Sequence, residues 1–201
     1  MASKPYAKIS DEDLVAYLKK GDDKAFAELM KRYKTRIYGI AYRYLGNSED
    51  AADVAQEVFV KVYRHIDKYV ARARLKTWIY RIAANSAMDK IRAKRRRGED
   101  VAESLDEMRE SGIPEPTGAG ANPGSNPRKE LECKEMGELL QAKLLALPEN
   151  YRMVFVLREC RQLSYHEIAE VTGLPLGTVR SRLNQARRKL RDMLAPYLAA
   201  T

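Results

Sequence analysis

Apolar residues at Phe26, Leu29, Met30, Tyr33, Ile37, Ile40, Ala41 and Tyr44 recur three and four positions apart. That spacing gathers side chains on one face of an α-helix. It predicts one long amphipathic helix, opened by Asp22 or Asp23 and closed by Gly46. Asn47 and Ser48 then offer caps to a second helix, Glu49 and Asp50 suit its positive first turn, and Ala55, Val58, Phe59, Val62 and Ile66 mark its inward face. A third runs over about 77–96, burying Ile79, Ile82, Ala83, Ser86 and the stem of Lys90. A short helix capped by Ser10, with Leu14, Val15 and Leu18 inward, precedes all three.

From Gly98 to Pro127 the periodicity vanishes under Gly, Pro, Ser and Asn, and acids outnumber bases. It resumes at Met136, Leu139, Leu140, Leu144 and Leu147, stops at Pro148, and restarts through Met153, Val156, Leu157 and Cys160. Two further helices complete a C-terminal unit of about four. Alternating β-type runs are absent. The expectation is an all-α protein of two small helical domains: 1–97, a flexible acidic linker at 98–130, and 131–201 containing a helix-turn-helix.

The segment 163–192 carries the most specific chemistry. Ser164 with Glu167 three residues on is a capping box, Ile168 and Ala169 point inward, and Gly173 supplies a sharp turn. A second helix begins near Pro175, whose fixed φ suits a first helical turn. Ala169, Gly173 and Val179 occupy the positions where a helix-turn-helix needs a small residue, a turn glycine and a gap-filling β-branched side chain. The other faces of that second helix show Arg180, Ser181, Arg182, Asn184, Gln185, Arg187 and Arg188, donor-rich side chains of the kinds that read base edges and hold phosphates.

Charge agrees with that reading. Lys and Arg total 37 against 28 acidic residues, a formal +9, which favours a polyanionic partner. On the third helix Trp78, Arg81, Asn85, Asp89 and Arg92 recur opposite the isoleucines, with Tyr80 near the edge and Lys94, Arg95, Arg96 and Arg97 at the end. Aromatic faces beside cations suit unpaired bases and their backbone, while a lone Trp also serves as core filling. Met1 to Ser10 lacks a signal-peptide core, and the longest apolar run, Met153 to Leu157, cannot span a bilayer, so a cytoplasmic chain without membrane insertion is expected. Cys133 and Cys160 have no partner at metal-ligand spacing and read as free thiols. No catalytic residue, metal or cofactor is expected. Two rivals remain: a duplex-binding regulator whose first domain dimerises or senses a ligand, and a metal-dependent nuclease using Asp50, Asp53 and Glu57.

The run Tyr165-His166-Glu167-Ile168-Ala169-Glu170, with Pro175-Leu176-Gly177-Thr178-Val179-Arg180-Ser181-Arg182, resembles the fourth conserved region of RNA polymerase sigma factors of the extracytoplasmic-function group. Asp50-Ala51-Ala52-Asp53-Val54-Ala55-Gln56-Glu57-Val58-Phe59 and Thr77-Trp78-Ile79-Tyr80-Arg81-Ile82-Ala83-Ala84-Asn85 are similar to that group's second region. The resemblance implies that Asp53, Gln56 and Glu57 grip the clamp helices of the polymerase largest subunit, and that the C-terminal unit meets the flap of the second largest. It matches Tyr80, Arg81 and Asn85 to residues that hold an unpaired base of the melted minus-ten element, and Arg180, Ser181, Asn184 and Gln185 to the surface that reads the minus-thirty-five element; Trp78 and Arg92 on the first helix face, and Arg182, Arg187 and Arg188 on the second, complete the two candidate sets. Asn184 and Gln185 stand where some members carry an aromatic residue and an arginine. Core RNA polymerase, promoter DNA and an anti-sigma factor are the implied partners. Glu57 and Lys61 equally suit an i,i+4 pair on a solvated face, and the linker either threads the polymerase or merely tethers.

Overall fold

The computed structural model describes residues 6–71, 73–98 and 127–198, and among them every regular element is helical. The N-terminal unit contains α1 (Asp11–Leu18), α2 (Asp23–Leu45), α3 (Ser48–His65) and α4 (Leu75–Arg97). The first three begin on a side-chain cap that satisfies orphan amides, whereas α4 follows Arg74 without one. Ser10 accepts from the Asp13 amide, Asp22 from those of Lys24 and Ala25, and Asn47 from that of Asp50. α2 ends at Gly46, whose φ of 82° lies in the left-handed region where an L side chain clashes with its own backbone. α2, α3 and α4 then pack together around Leu29, Ile37, Ile40, Val54, Val58, Ile79 and Ala83.

The inward faces match the periodicity with instructive exceptions. Met30 is 37% exposed and Phe26 half-buried, because the edge of α2 closes on the α3 surface through Phe26, Phe59 and Tyr63 rather than under a further helix. Ile82 is likewise only half-buried.

The C-terminal unit contains α5 (Pro127–Leu145), α6 (Glu149–Phe155), a π-helical turn (Val156–Cys160), α7 (Tyr165–Thr172) and α8 (Leu176–Leu198). α5 starts inside the stretch assigned to the linker. Pro127 suits a first helical position, and the Lys- and Glu-rich residues after it are good helix formers. The rest of the expected linker, residues 99–126, lies outside the described residues, as does the side chain of Cys133. The π turn ends at Arg161, and Gln162 follows with φ 53°, a left-handed conformation on a non-glycine residue.

The two units do not hang apart. α2 packs on α5, α6 and the π turn, α4 packs on α7, and the buried residues of both units join one continuous core. Arg152 of α6, 5% exposed, donates to the carbonyl of Tyr44 at 2.6 Å, to that of Leu147 at 2.9 Å and to that of Leu145. It therefore caps the C-terminal end of α2, where carbonyls lack helical partners. Gln141 adds a bond to the Tyr42 carbonyl at 3.2 Å. Ion pairs Lys76–Glu167 at 3.0 Å and Arg95–Glu149 at 2.7 Å flank the junction.

Candidate nucleic-acid interface

The helix-turn-helix is built as its spacing predicts. Ser164 Oγ accepts from the Glu167 amide at 3.2 Å, while Glu167 Oε2 accepts from the Ser164 amide at 2.8 Å, so two orphan donors are satisfied reciprocally. Burial works to raise the Glu167 carboxyl pKa, but the Ser164 bonds and the Lys76 charge outweigh it and hold the group below its ordinary value. Gly173, at φ 70°, makes the turn, and its amide closes on the Ala169 carbonyl. Pro175 sits one place before α8: its carbonyl accepts from the Val179 amide, so it contributes the first acceptor and not the first helical residue. Val179, Leu183, Ala186 and Leu190 bury one face of α8.

Burying that stripe leaves Arg180, Ser181 and Asn184 exposed together on the outer face. The Ser181 hydroxyl donates to the Thr178 carbonyl at 3.0 Å, which steadies its oxygen on the surface. Arg188 donates to Gln185 at 2.7 Å. Arg187 is committed to Glu159, with Nε at 3.0 Å and Nη2 at 2.6 Å. Arg182 is half-buried and turned elsewhere: it lines a groove of about 620 Å³ with Asn85, Asp89, Arg92 and Glu149.

On α4, Arg81 and Asn85 are exposed and line a second groove, of about 700 Å³, whose far wall is Ala169 to Pro175. The minus-ten candidates thus face the turn of the helix-turn-helix. Arg92 is exposed and paired with Asp89 at 3.0 Å. The aromatic pair is placed differently from an open stacking platform. Tyr80 is 3% exposed, its ring edge-on to Tyr33 at 6.2 Å, and Trp78 is half-buried against Tyr69 at 5.4 Å. Both rings have protein neighbours on them in this arrangement.

On α3, Asp53, Gln56 and Glu57 share an exposed face. Lys90 bridges Asp53 at 3.1 Å and the buried Asp50 at 3.2 Å, Lys94 also reaches Asp50, and Lys61 pairs with Glu57 at 2.6 Å. Burial opposes the Lys90 charge, yet the Asp53 and Asp50 bonds prevail and raise its pKa. Every carboxylate of the nuclease alternative is thereby matched by an ammonium group, the opposite of a cluster poised for a divalent cation. Among the described residues no group of His, Cys, Asp and Glu could hold a metal ion, and no helix is long and apolar enough to cross a membrane.

The chain matches two family models, Sigma-70 region 2 over residues 29–97 and Sigma-70, region 4 over residues 137–190. It is 37% identical to the ECF RNA polymerase sigma factor SigW of Bacillus subtilis strain 168, over 90% of this chain and 94% of that one. This chain belongs to the ECF RNA polymerase sigma factors. The ECF RNA polymerase sigma-E factor of Escherichia coli K12 is 36% identical over 94% of this chain and 97% of its own. Among solved structures, CnrH in complex with the cytosolic domain of CnrY superposes with a TM-score of 0.65 at 24% identity, covering 92% of this chain and 97% of that one. The sigma factor RpoE in complex with the anti-sigma factor NepR from Bartonella quintana gives 0.61 at 20% identity, covering 86% and 98%. At these identities the two structures establish a shared fold.

Sequence reasoning missed the residues at the junction of this sigma factor: Arg152, Gln141, Lys76 with Glu167, and Arg95 with Glu149. The one signal available was Arg152 itself, a cation immediately before the apolar run Met153 to Leu157. A charged group at a core-facing position implies buried acceptors.

Proposed function

We propose that this chain is the promoter-specificity subunit of RNA polymerase: it binds the core enzyme, directs it to a set of promoters and helps open the DNA there. The observation that carries the reading is α8, where one capped helix-turn-helix presents Arg180, Ser181 and Asn184 on a single outer face. Such side chains suit base edges in a major groove. Arg81 and Asn85 supply a cation and an amide for an unpaired strand, and the exposed Asp53, Gln56 and Glu57 suit a basic docking surface on the polymerase. On this reading 1–97 binds core polymerase and the minus-ten element, 98–130 connects, and 131–201 binds the minus-thirty-five element. The protein works in the cytoplasm, by binding and without chemistry of its own, and an anti-sigma factor holds it inactive.

Core polymerase mixed with the chain and a library of genomic fragments is expected to start run-off transcripts from a few fragments that core alone ignores. Transcripts that do not depend on the chain would refute the proposal. Within it, Asp53→Arg combined with Glu57→Arg is expected to weaken core binding about ten-fold or more at low salt while circular dichroism stays helical. Unchanged affinity would remove that face from the docking site.

A further inference from the structure

Among the described residues Arg180, Arg188 and Arg191, all exposed on α8, have no carboxylate within ion-pair distance. Arg187 differs from them. Its Nε at 3.0 Å and its Nη2 at 2.6 Å both donate to the same carboxylate oxygen of Glu159, a residue of the π turn. Val156 and Leu157 of that turn are buried, and Glu159 stands on its outer side. Such turns recur at functional sites. Arg158, the neighbour of Glu159, is engaged elsewhere: Nη1 donates to the Leu163 carbonyl at 2.7 Å, and the guanidinium lies 5.2 Å from the centroid of the Tyr165 ring. Glu159 is therefore answered by α8 and not by its own turn.

Seven residues separate Arg180 from Arg187, with Asn184 between them, so the three fall along one side of the helix. With Arg180 and Asn184 turned to base edges, Arg187 comes to the phosphates that border the groove, and Glu159 comes with it. The side chains of Arg187 and Glu159 are 42% and 39% exposed, so a phosphate can reach the pair. A phosphate then either competes with Glu159 for the guanidinium or binds the remaining N–H groups and is repelled by the carboxylate beside them. Both arrangements weaken the contact.

We infer that Glu159 restrains the grip of the helix-turn-helix on duplex DNA, by neutralising Arg187 and by holding a carboxylate at the edge of the groove. This restraint presupposes the promoter-binding reading of α8. It acts on attraction to the DNA backbone, so it applies to every sequence alike and leaves discrimination to the base contacts. Non-promoter duplex is released more readily as a result. An exposed pair contributes little to stability, so its removal leaves the fold intact.

Fluorescence anisotropy of the full chain on a duplex that supports run-off transcription, and on its scrambled counterpart, is measured across chloride concentrations. Glu159→Gln frees Arg187 to neutralise one more phosphate. Binding to both duplexes is expected to tighten about five- to ten-fold at roughly 0.1 M salt, with a salt slope steeper by about one. Arg187→Gln leaves the carboxylate alone at the groove and is expected to weaken both by a similar factor. The double variant, which loses cation and acid together, is expected to bind as the wild type does. A purely structural tie between the π turn and α8 would move the unfolding temperature and not the salt slope. Unchanged affinity and slope in Glu159→Gln would overturn the inference. So would weaker binding by that variant, which would make Glu159 a buttress for Arg187, or a double variant as weak as Arg187→Gln, which would make Arg187 an independent phosphate anchor. If Arg180→Ala also binds both duplexes as the wild type does, α8 does not enter the groove, and the promoter-binding reading falls as well; a loss in Arg180→Ala beside indifference in Glu159→Gln sinks the inference alone.

Discussion

Replacing Arg152 by methionine keeps the bulk of the side chain and removes the guanidinium that joins the units. Three charge-assisted hydrogen bonds, to the carbonyls of Tyr44, Leu147 and Leu145, disappear. At about 1.5–3 kcal/mol each they bound the loss from above. Removing a buried cation returns part of that, since desolvation of such a group costs several kcal/mol. Burial already lowers the Arg152 pKa, against the favourable influence of Tyr44 and Glu149. A net destabilisation of about 2–3 kcal/mol is the balance of the two. Of the contacts Arg152 makes, only the Tyr44 bond and the guanidinium over the Tyr44 ring, 5.6 Å from its centroid, cross the junction. Their share, about 1.5–3 kcal/mol, enlarges the population of separated units roughly ten- to a hundred-fold. Urea unfolding measures the first quantity. Energy transfer between fluorophores on the outer faces of α3 and α8 measures the second, as lower efficiency at equal helicity. If Arg152→Met unfolds at the wild-type urea concentration and transfers energy equally well, the guanidinium is not what holds the junction.

Gly46→Ala meets two obstacles, a φ of 82° and an added Cβ only 2.5 Å from Leu145 Cδ1, so a loss of at least about 1–2 kcal/mol in denaturant unfolding is expected, and a smaller loss would mean that α5 yields easily. The lowered Glu167 pKa sets a pH window. Its contribution is fully present above the unfolded carboxyl value of about 4.3 and is lost as pH falls through the lower folded value, so Glu167→Gln should flatten stability against pH in that acid range, and parallel curves would refute the assignment. On duplex DNA, Arg180→Ala should cost about 1–3 kcal/mol of discrimination between cognate and scrambled upstream elements, whereas Arg188→Ala should weaken both alike and reduce the salt slope by about one. Equal losses on both duplexes after Arg180→Ala would make Arg180 a phosphate anchor.

Helix existence, helix ends and the recognition motif were legible because each is specified by neighbours in the chain. Asp22, Asn47, Ser164, Gly46 and Gly173 act within three or four residues, so spacing alone exposes them. The outward face of α8 follows from the buried stripe Val179, Leu183, Ala186 and Leu190 by the same logic. Tyr80 shows where that logic stops. Periodicity sets it near the edge of α4, yet Tyr33, on a helix nearly fifty residues earlier, covers its ring. Arg152 was illegible for a related reason: a buried arginine is explained by acceptors supplied from elsewhere in the chain, here the carbonyls of Tyr44, Leu145 and Leu147.

That distinction bears on how the two recognition faces relate. The outer face of α8, with Arg180, Ser181 and Asn184, is open to solvent in this arrangement. Arg81 and Asn85 instead look across a groove at Ala169 to Pro175, and Arg182 and Arg92 share the neighbouring groove. A nucleic-acid strand at Arg81 and Asn85 would need the space that the helix-turn-helix turn now bounds. The bonds that keep that turn in place are few and polar: Lys76–Glu167, Arg95–Glu149, and the caps from Arg152 and Gln141. Exposed ion pairs are worth little each and are screened by salt, so the caps and the apolar contacts beneath them hold most of the junction. Salt alone should therefore separate the units far less than loss of Arg152 does, and the energy-transfer measurement, repeated across ionic strength, distinguishes the two contributions.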